Sequence, residues 1–266
     1  MPMSQGRSLE AMPASVLPIT NSTTAHAPQY RVEGSGPLLI YIAGLDGTGQ
    51  LFFKQAELLA RSYRVVTFRS RDDNRFTYED LTSDLAAIIR DLGEEQAMIV
   101  GESFGGTIAL SFALAYPQMV SRLVVVNSFP RFRNRFKIEM GVRLASGLPF
   151  RFLWPFRRTA SSLGLLIDGV KKEDRRLFWK AIRTVGAEAY ARRLQLIADF
   201  NVEGRLCEIQ APTIFIAGDR DFVVPSAKEA RAMASRMANA TVKIIEGAGH
   251  ACLLSDRVRL AELLAE

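Results

Sequence analysis

Apolar and polar positions along the chain fall into two textures. Short runs of β-branched and aliphatic residues recur at 38–43, 63–68, 98–101, 123–127, 213–217 and 242–245. They are continuous rather than alternating, the pattern of strands covered on both faces. The stretches between several of them have helical spacing. In 78–92 the residues Leu81, Leu85, Ile88, Ile89 and Leu92 return every three or four positions, and 226–237 carries a second such stripe. The repeated order strand, helix, strand predicts an α/β fold, a doubly wound and mostly parallel sheet with helices on both faces.

The alternation stops after Asn127, and about 80 residues pass before the next strand-like run, far more than a crossover needs. Helical candidates at 138–145, 175–184 and 187–198, separated by Gly147, Pro149, Pro155 and Gly164, make this insertion a helical cap over 130–205. The core is then 30–129 together with 206–266. Residues 1–29 mix Pro, Ser, Thr and Ala without period and read as a disordered tail. They lack the apolar stretch and basic start of a secretion signal.

Composition narrows the class only slightly. With 48% hydrophobic and 23% charged residues the chain resembles an average soluble globular protein. Cys207 and Cys252 have no metal-type spacing, which points to free thiols in a reducing, cytoplasmic compartment. Charge changes the picture more. The net charge is +6, yet residues 131–193 hold 16 Lys and Arg against 5 Asp and Glu, which leaves the remainder acidic. Phe150, Phe152, Trp154 and Phe156 interrupt this basic stretch. It is expected either as a solvated helical surface or as a peripheral contact with an anionic membrane surface, an acyl carrier or a phosphate-bearing substrate.

Candidate chemistry concentrates in four loops. Gly101, Ser103 and Gly105 form G-x-S-x-G directly after a strand-like run and directly before a helix-like one. A serine at such a turn is held in a strained conformation with its hydroxyl exposed, and the glycines allow strand and helix to pass closely. A serine hydroxyl needs a base, normally a histidine oriented by a carboxylate. Of the two histidines, His26 lies in the tail, whereas His250 follows the last strand between Gly249 and a terminal helix, so His250 is the base. The carboxylate lies in the loop after 213–217, where Asp219 and Asp221 are both within reach. Asp221, further along the loop, is preferred, and Asp219 beside Gly218 is the alternative that would fix the turn. An oxyanion hole requires two backbone N–H groups. Phe104 supplies one, and the glycine-rich loop after 38–43 supplies the other, with the amide of Leu45 as the candidate. That loop has neither the lysine of a phosphate loop nor the G-x-G-x-x-G spacing of a dinucleotide site.

In order along the chain, GLDGTG (44–49), GESFGG (101–106), GDRDFVVP (218–225) and GAGH (247–250) resemble the α/β-hydrolase family. The pairing of the first two is similar to the branch related to the hydrolase part of plant phytyl ester synthases. The resemblance spans about residues 37–129 and 205–266. It implies Ser103 as nucleophile, Asp221 as acid and His250 as base, with Leu45 and Phe104 as oxyanion donors. The expected reaction is hydrolysis of a small-molecule carboxylic ester through an acyl-enzyme on Ser103. The same triad serves thioester hydrolysis and acyl transfer, and a non-catalytic binding protein on this fold is the reading from another class. No metal or organic cofactor and no nucleic-acid partner are expected. Leu144, Phe152, Trp154, Leu166 and Phe178 in the cap suggest an apolar acyl or alcohol group.

Overall fold

The computed structural model describes residues 28–134, 138–139, 141, 170–256 and 258–265. Strands β1 (Tyr30–Glu33), β2 (Leu38–Ile42), β3 (Arg64–Phe68), β4 (Ala97–Glu102), β5 (Val120–Val126), β6 (Thr213–Gly218) and β7 (Ala240–Ile245) join in one sheet. Its order is β1-β3-β2-β4-β5-β6-β7. Every pairing is parallel except that of β1 with β3. All six expected strands are present. β1 is the addition: YRVE is short, only half-buried and confined to the edge, so it lacks the apolar continuity of the others.

The described helices are α1 (Phe53–Leu59), α2 (Tyr78–Asp91), α3 (Phe104–Ala115), α4 (Lys172–Arg183), α5 (Ala187–Asp199), α6 (Ser226–Ala234) and α7 (Leu260–Ala265). Thr77 starts α2 with a capping box, its hydroxyl accepting from the Asp80 N–H while the Asp80 carboxylate accepts from the Thr77 N–H. Successive residues of the central strands point to opposite faces. Ile40, Ile42, Ile99, Val125 and Phe215 pack with α2, α3 and α6, whereas Leu39, Tyr41, Val100, Val124 and Ile216 pack with α1 and α7. Each such buried side chain contributes about 1.5–3 kcal/mol, which is why β2 and β6, buried along their whole length, read as unbroken apolar runs.

Strand order places the site. β2 has β3 on one side and β4 on the other, so the chain leaves β2 and β4 in opposite directions. Ligands of open α/β sheets bind where order reverses, outside the carboxyl ends of the strands. The loop 43–49 and the turn at Ser103 both lie at that point.

Within the insertion, α4 and α5 stand where helices were expected, and Ile138, Glu139 and Gly141 are helical. Leu194, Leu196 and Ile197 of α5 join the main core beside α2 and α3. Residues 142–169, with Leu144, Phe152, Trp154 and Leu166, lie outside the described residues, as do 1–27 of the N-terminal segment. The basic stretch is not solvated throughout, because Arg193 at its end is 2% exposed. No helix among the described residues is long and apolar enough to cross a membrane.

Candidate active site

The turn at Ser103 is built by close packing. β4 ends at Glu102 and α3 begins at Phe104, so a single residue makes the reversal, with φ 55° and ψ −118°. An L-residue occupies such a conformation at a cost on the order of 1–3 kcal/mol. A Cβ on Gly105 would lie 2.1 Å from the Ile42 carbonyl oxygen, and one on Gly101 would lie 2.3 Å from that of Gly105. Neither position tolerates a side chain without moving α3 off the sheet. The strain is held from β5 and the residues after it. The Ser103 N–H donates to the Val126 carbonyl at 2.9 Å, and the Ser128 hydroxyl donates to the Ser103 carbonyl at 2.7 Å.

The loops after β6 and β7 bring two more side chains to this turn. His250 Nε2 lies 2.8 Å from Ser103 Oγ, and His250 Nδ1 lies 2.7 Å from Asp221 Oδ2. The Asp221 side chain is fully buried, with four donors around it. Oδ1 accepts the N–H groups of Val223 at 2.9 Å and Val224 at 3.1 Å, and Oδ2 accepts the Ser226 hydroxyl as well as His250. Burial pushes the Asp221 carboxyl up, but the charge and hydrogen bond of His250, the Ser226 hydroxyl and the Val224 N–H outweigh it and hold the group below its ordinary value. An ionised carboxylate only accepts, so Nδ1 carries the ring proton and Nε2 accepts from the serine hydroxyl. Asp219 has a different position. Its Oδ1 accepts the Gly247 N–H at 2.7 Å, which ties the loop after β6 to the loop before His250.

Residues 44–49 approach from β2. A Cβ on Gly44 would lie 3.4 Å from Ser103 Cβ and 3.9 Å from Ser103 Oγ, so the backbone passes directly against the serine and Leu45 follows it. The Gly47 N–H closes a turn onto the Gly44 carbonyl at 3.0 Å, and Asp46 Oδ2 accepts the N–H and hydroxyl of Thr48 at 3.0 and 2.6 Å. Phe104, on the other side of Ser103, opens α3. Among the described residues no group of three or more His, Cys, Asp and Glu side chains is arranged to hold a metal ion.

Three groups escaped the sequence reasoning. Asn127, buried at the end of β5 with φ 46°, donates to the carbonyls of Gly249 at 3.1 Å and His250 at 2.6 Å and accepts the Gly218 N–H at 2.8 Å. It locks the two loops that carry Asp221 and His250 to a common strand end. Its signal was an asparagine at the last position of a strand-like run, the residue that best tolerates positive φ after glycine. Ser226 is the second, hidden in an ordinary Pro-Ser helix start. Glu102 is the third. Burial pushes its carboxyl up to about 7, and the charges of Asp46 and Asp221 act in the same direction against the Tyr41 hydrogen bond and His250. The Tyr41 hydroxyl donates to it at 2.6 Å.

A mostly parallel doubly wound sheet, a serine at a strained strand-to-helix turn, and a carboxylate and histidine delivered in that order by later strands define the α/β-hydrolase class. The sequence profile of the alpha/beta hydrolase fold matches residues 37–256, and the chain belongs to that family. A protein named carbamate hydrolase RutD, from Serratia proteamaculans (strain 568), is 27% identical over 246 residues, which is 86% of this chain and 89% of its own length. The esterase from Exiguobacterium antarcticum superposes with a TM-score of 0.79 at 18% identity, covering 90% of this chain and 94% of that one. The enol-lactonase from Burkholderia xenovorans LB400 does so with 0.75 at 19% identity, covering 89% and 93%. These solved structures share the fold.

Proposed function

We propose that this protein is a serine hydrolase that cleaves a carboxylic ester with an apolar acyl or alcohol group, through an acyl-enzyme on Ser103. The observation that carries the reading is the continuous array Ser103 Oγ, His250, Asp221, with links of 2.8 and 2.7 Å. Ser103 Oγ attacks the ester carbonyl carbon as His250 Nε2 takes the hydroxyl proton, and the buried Asp221 carboxylate stabilises the imidazolium. The carbonyl oxygen becomes an oxyanion that accepts from the amides of Leu45 and Phe104. Collapse breaks the carbon–oxygen bond to the alcohol, which leaves with the proton from His250. Water then attacks the acyl-serine and gives a proton to His250, which returns it to Ser103 Oγ as the carbon–Oγ bond breaks and the acid leaves. The likeness of residues 44–49 and 101–106 to the hydrolase part of plant phytyl ester synthases supports an apolar substrate group.

A second reading rests on the relatives named carbamate hydrolases. A carbamate carbonyl is attacked by the same serine, and the intermediate is then a carbamoyl-serine. Initial rates on p-nitrophenyl esters from acetate to palmitate, beside a p-nitrophenyl carbamate, separate the two. Ser103→Ala is expected to lower kcat on the accepted substrate by a factor on the order of 10⁴ or more. Turnover that survives the substitution would overturn the serine mechanism.

A further inference from the structure

Arg193 belongs to α5 in the inserted segment, yet its guanidinium ends in the loop beside Ser103. Nη1 donates to the carbonyls of Leu45 at 2.9 Å and Asp46 at 3.3 Å, and Nη2 donates to the carbonyl of Arg71 at 2.9 Å. The seat is shaped for it. A Cβ on Gly47 would lie 2.4 Å from Nη2 and 2.5 Å from Cζ, and Gly47 holds φ +60°. The Arg71 carbonyl is itself anchored, since the Arg71 side chain pairs with Asp84 through two hydrogen bonds of 2.8 and 2.9 Å. Burial pulls the Arg193 pKa down to about 10, opposed by the Asp46 charge, so the group remains a cation at neutral pH. A buried cation whose hydrogen bonds go to backbone carbonyls is a costly way to fill space, because an apolar side chain of similar volume would pack there without desolvating a charge. What the planar fork adds is direction.

We propose that Arg193 is a positioning residue of the active site: by holding the carbonyls on both sides of Asp46, it sets the direction in which the Leu45 N–H points at the oxyanion. This rests on reading Leu45 as an oxyanion donor in a serine hydrolase. Leu45 and Asp46 are the central residues of the turn closed by the Gly47 N–H on the Gly44 carbonyl. With that bond fixing one end and the guanidinium fixing both central carbonyls, the peptide that carries the Leu45 N–H has one orientation. The inserted segment thus reaches the chemistry without touching substrate.

The test uses the full chain and the p-nitrophenyl ester that wild type hydrolyses best, with active sites counted by a fluorophosphonate. Arg193→Met keeps the stem and removes the donors. Its kcat per active site is expected to fall about 100-fold with KM within about twofold, the signature of an interaction made in the transition state. Inhibition by a trifluoromethyl ketone, which forms a tetrahedral adduct on the serine, should weaken by the same factor as kcat/KM. Arg193→Lys keeps the charge without the fork and should fall between, about tenfold below wild type. If Arg193→Met does not fold, the lysine variant decides by the same readouts. A variant that loses thermal stability but keeps wild-type kcat per active site and wild-type ketone affinity would overturn the proposal and leave Arg193 a structural residue. Ser103→Ala run beside them isolates the premise. Activity retained there would remove the serine reading itself, whereas activity lost there and kept in both Arg193 variants would remove only this inference.

Discussion

The turn at Ser103 and the loop at residues 44–49 meet at the carboxyl ends of neighbouring strands, β4 and β2, yet they are held by different parts of the chain. The turn is fixed by its own glycines and by the end of β5, through Val126 and Ser128. The loop is fixed in part by its own Asp46 and Thr48, and in part by Arg193 from the insertion. A strained backbone can be enforced by sheet neighbours, because they are already within hydrogen-bond reach. The loop that leaves β2 takes one such bond, from the Ser70 N–H just past β3 to the Gly47 carbonyl at 2.8 Å, and elsewhere takes its direction from what packs over it. On the proposal made for Arg193, changes between β5 and β6 alter the chemistry while Ser103, Asp221 and His250 stay in place.

The strongest way to break this comparison lies on the sheet side. Asp221→Asn keeps the shape but leaves Nδ1 of His250 without an ionised acceptor, so the ring no longer holds the tautomer that takes the serine proton. The expected loss is a factor of roughly 10³–10⁴ in kcat with little change in KM. Asp219→Asn, which touches the bond to the Gly247 N–H and leaves Asp221 in place, should cost about tenfold or less. Steady-state kinetics of the two variants side by side decide the matter, and equal losses would give Asp219 a share in orienting His250.

A smaller effect is expected from Asn127→Ala. The substitution orphans the Gly218 N–H and two carbonyls of the His250 loop and places alanine at φ 46°. About 2–3 kcal/mol of stability should be lost, together with about tenfold in kcat as the His250 loop loosens. Denaturant midpoints and active-site-normalised rates measure both. A stability loss with unchanged kcat would confine Asn127 to holding the sheet together.

The same contrast explains what was legible in the chain. The central strands were readable because burial on both faces demands apolar runs, and β1 was not because a four-residue edge strand with three half-buried residues and one exposed makes no such demand. Ser103 was readable from Gly101 and Gly105, and His250 from the scarcity of histidine. Asp221 was preferred to Asp219 in the sequence only by its place in the loop, because the two sit two residues apart. Their separate partners depend on where the amides of Val223 and Val224 point, which only the folded loop defines. Arg193 was hidden for a different reason. In a basic stretch every arginine looks solvated, and the carbonyls that collect this one lie far away in sequence.

The smallest effect is one of pH and concerns Glu102, the residue before Ser103. Its carboxyl titrates near 7 and interacts with His250. Glu102→Gln removes a carboxyl that is pushed up to about 7 beside Ser103 and keeps an acceptor for Tyr41, so the acid limb of the kcat/KM profile should move. Stability should respond with a definite sign. The folded state holds the Glu102 proton to higher pH than the unfolded chain does. The favourable contribution of the protonated group is therefore complete below the ordinary carboxyl range and is lost as pH rises towards 7. The Tm of Glu102→Gln relative to wild type should accordingly increase between about pH 5 and pH 8. A profile whose acid limb stays in place, with a Tm difference that does not change with pH, would show that Glu102 is solvated well enough to act on neither its neighbour nor the fold.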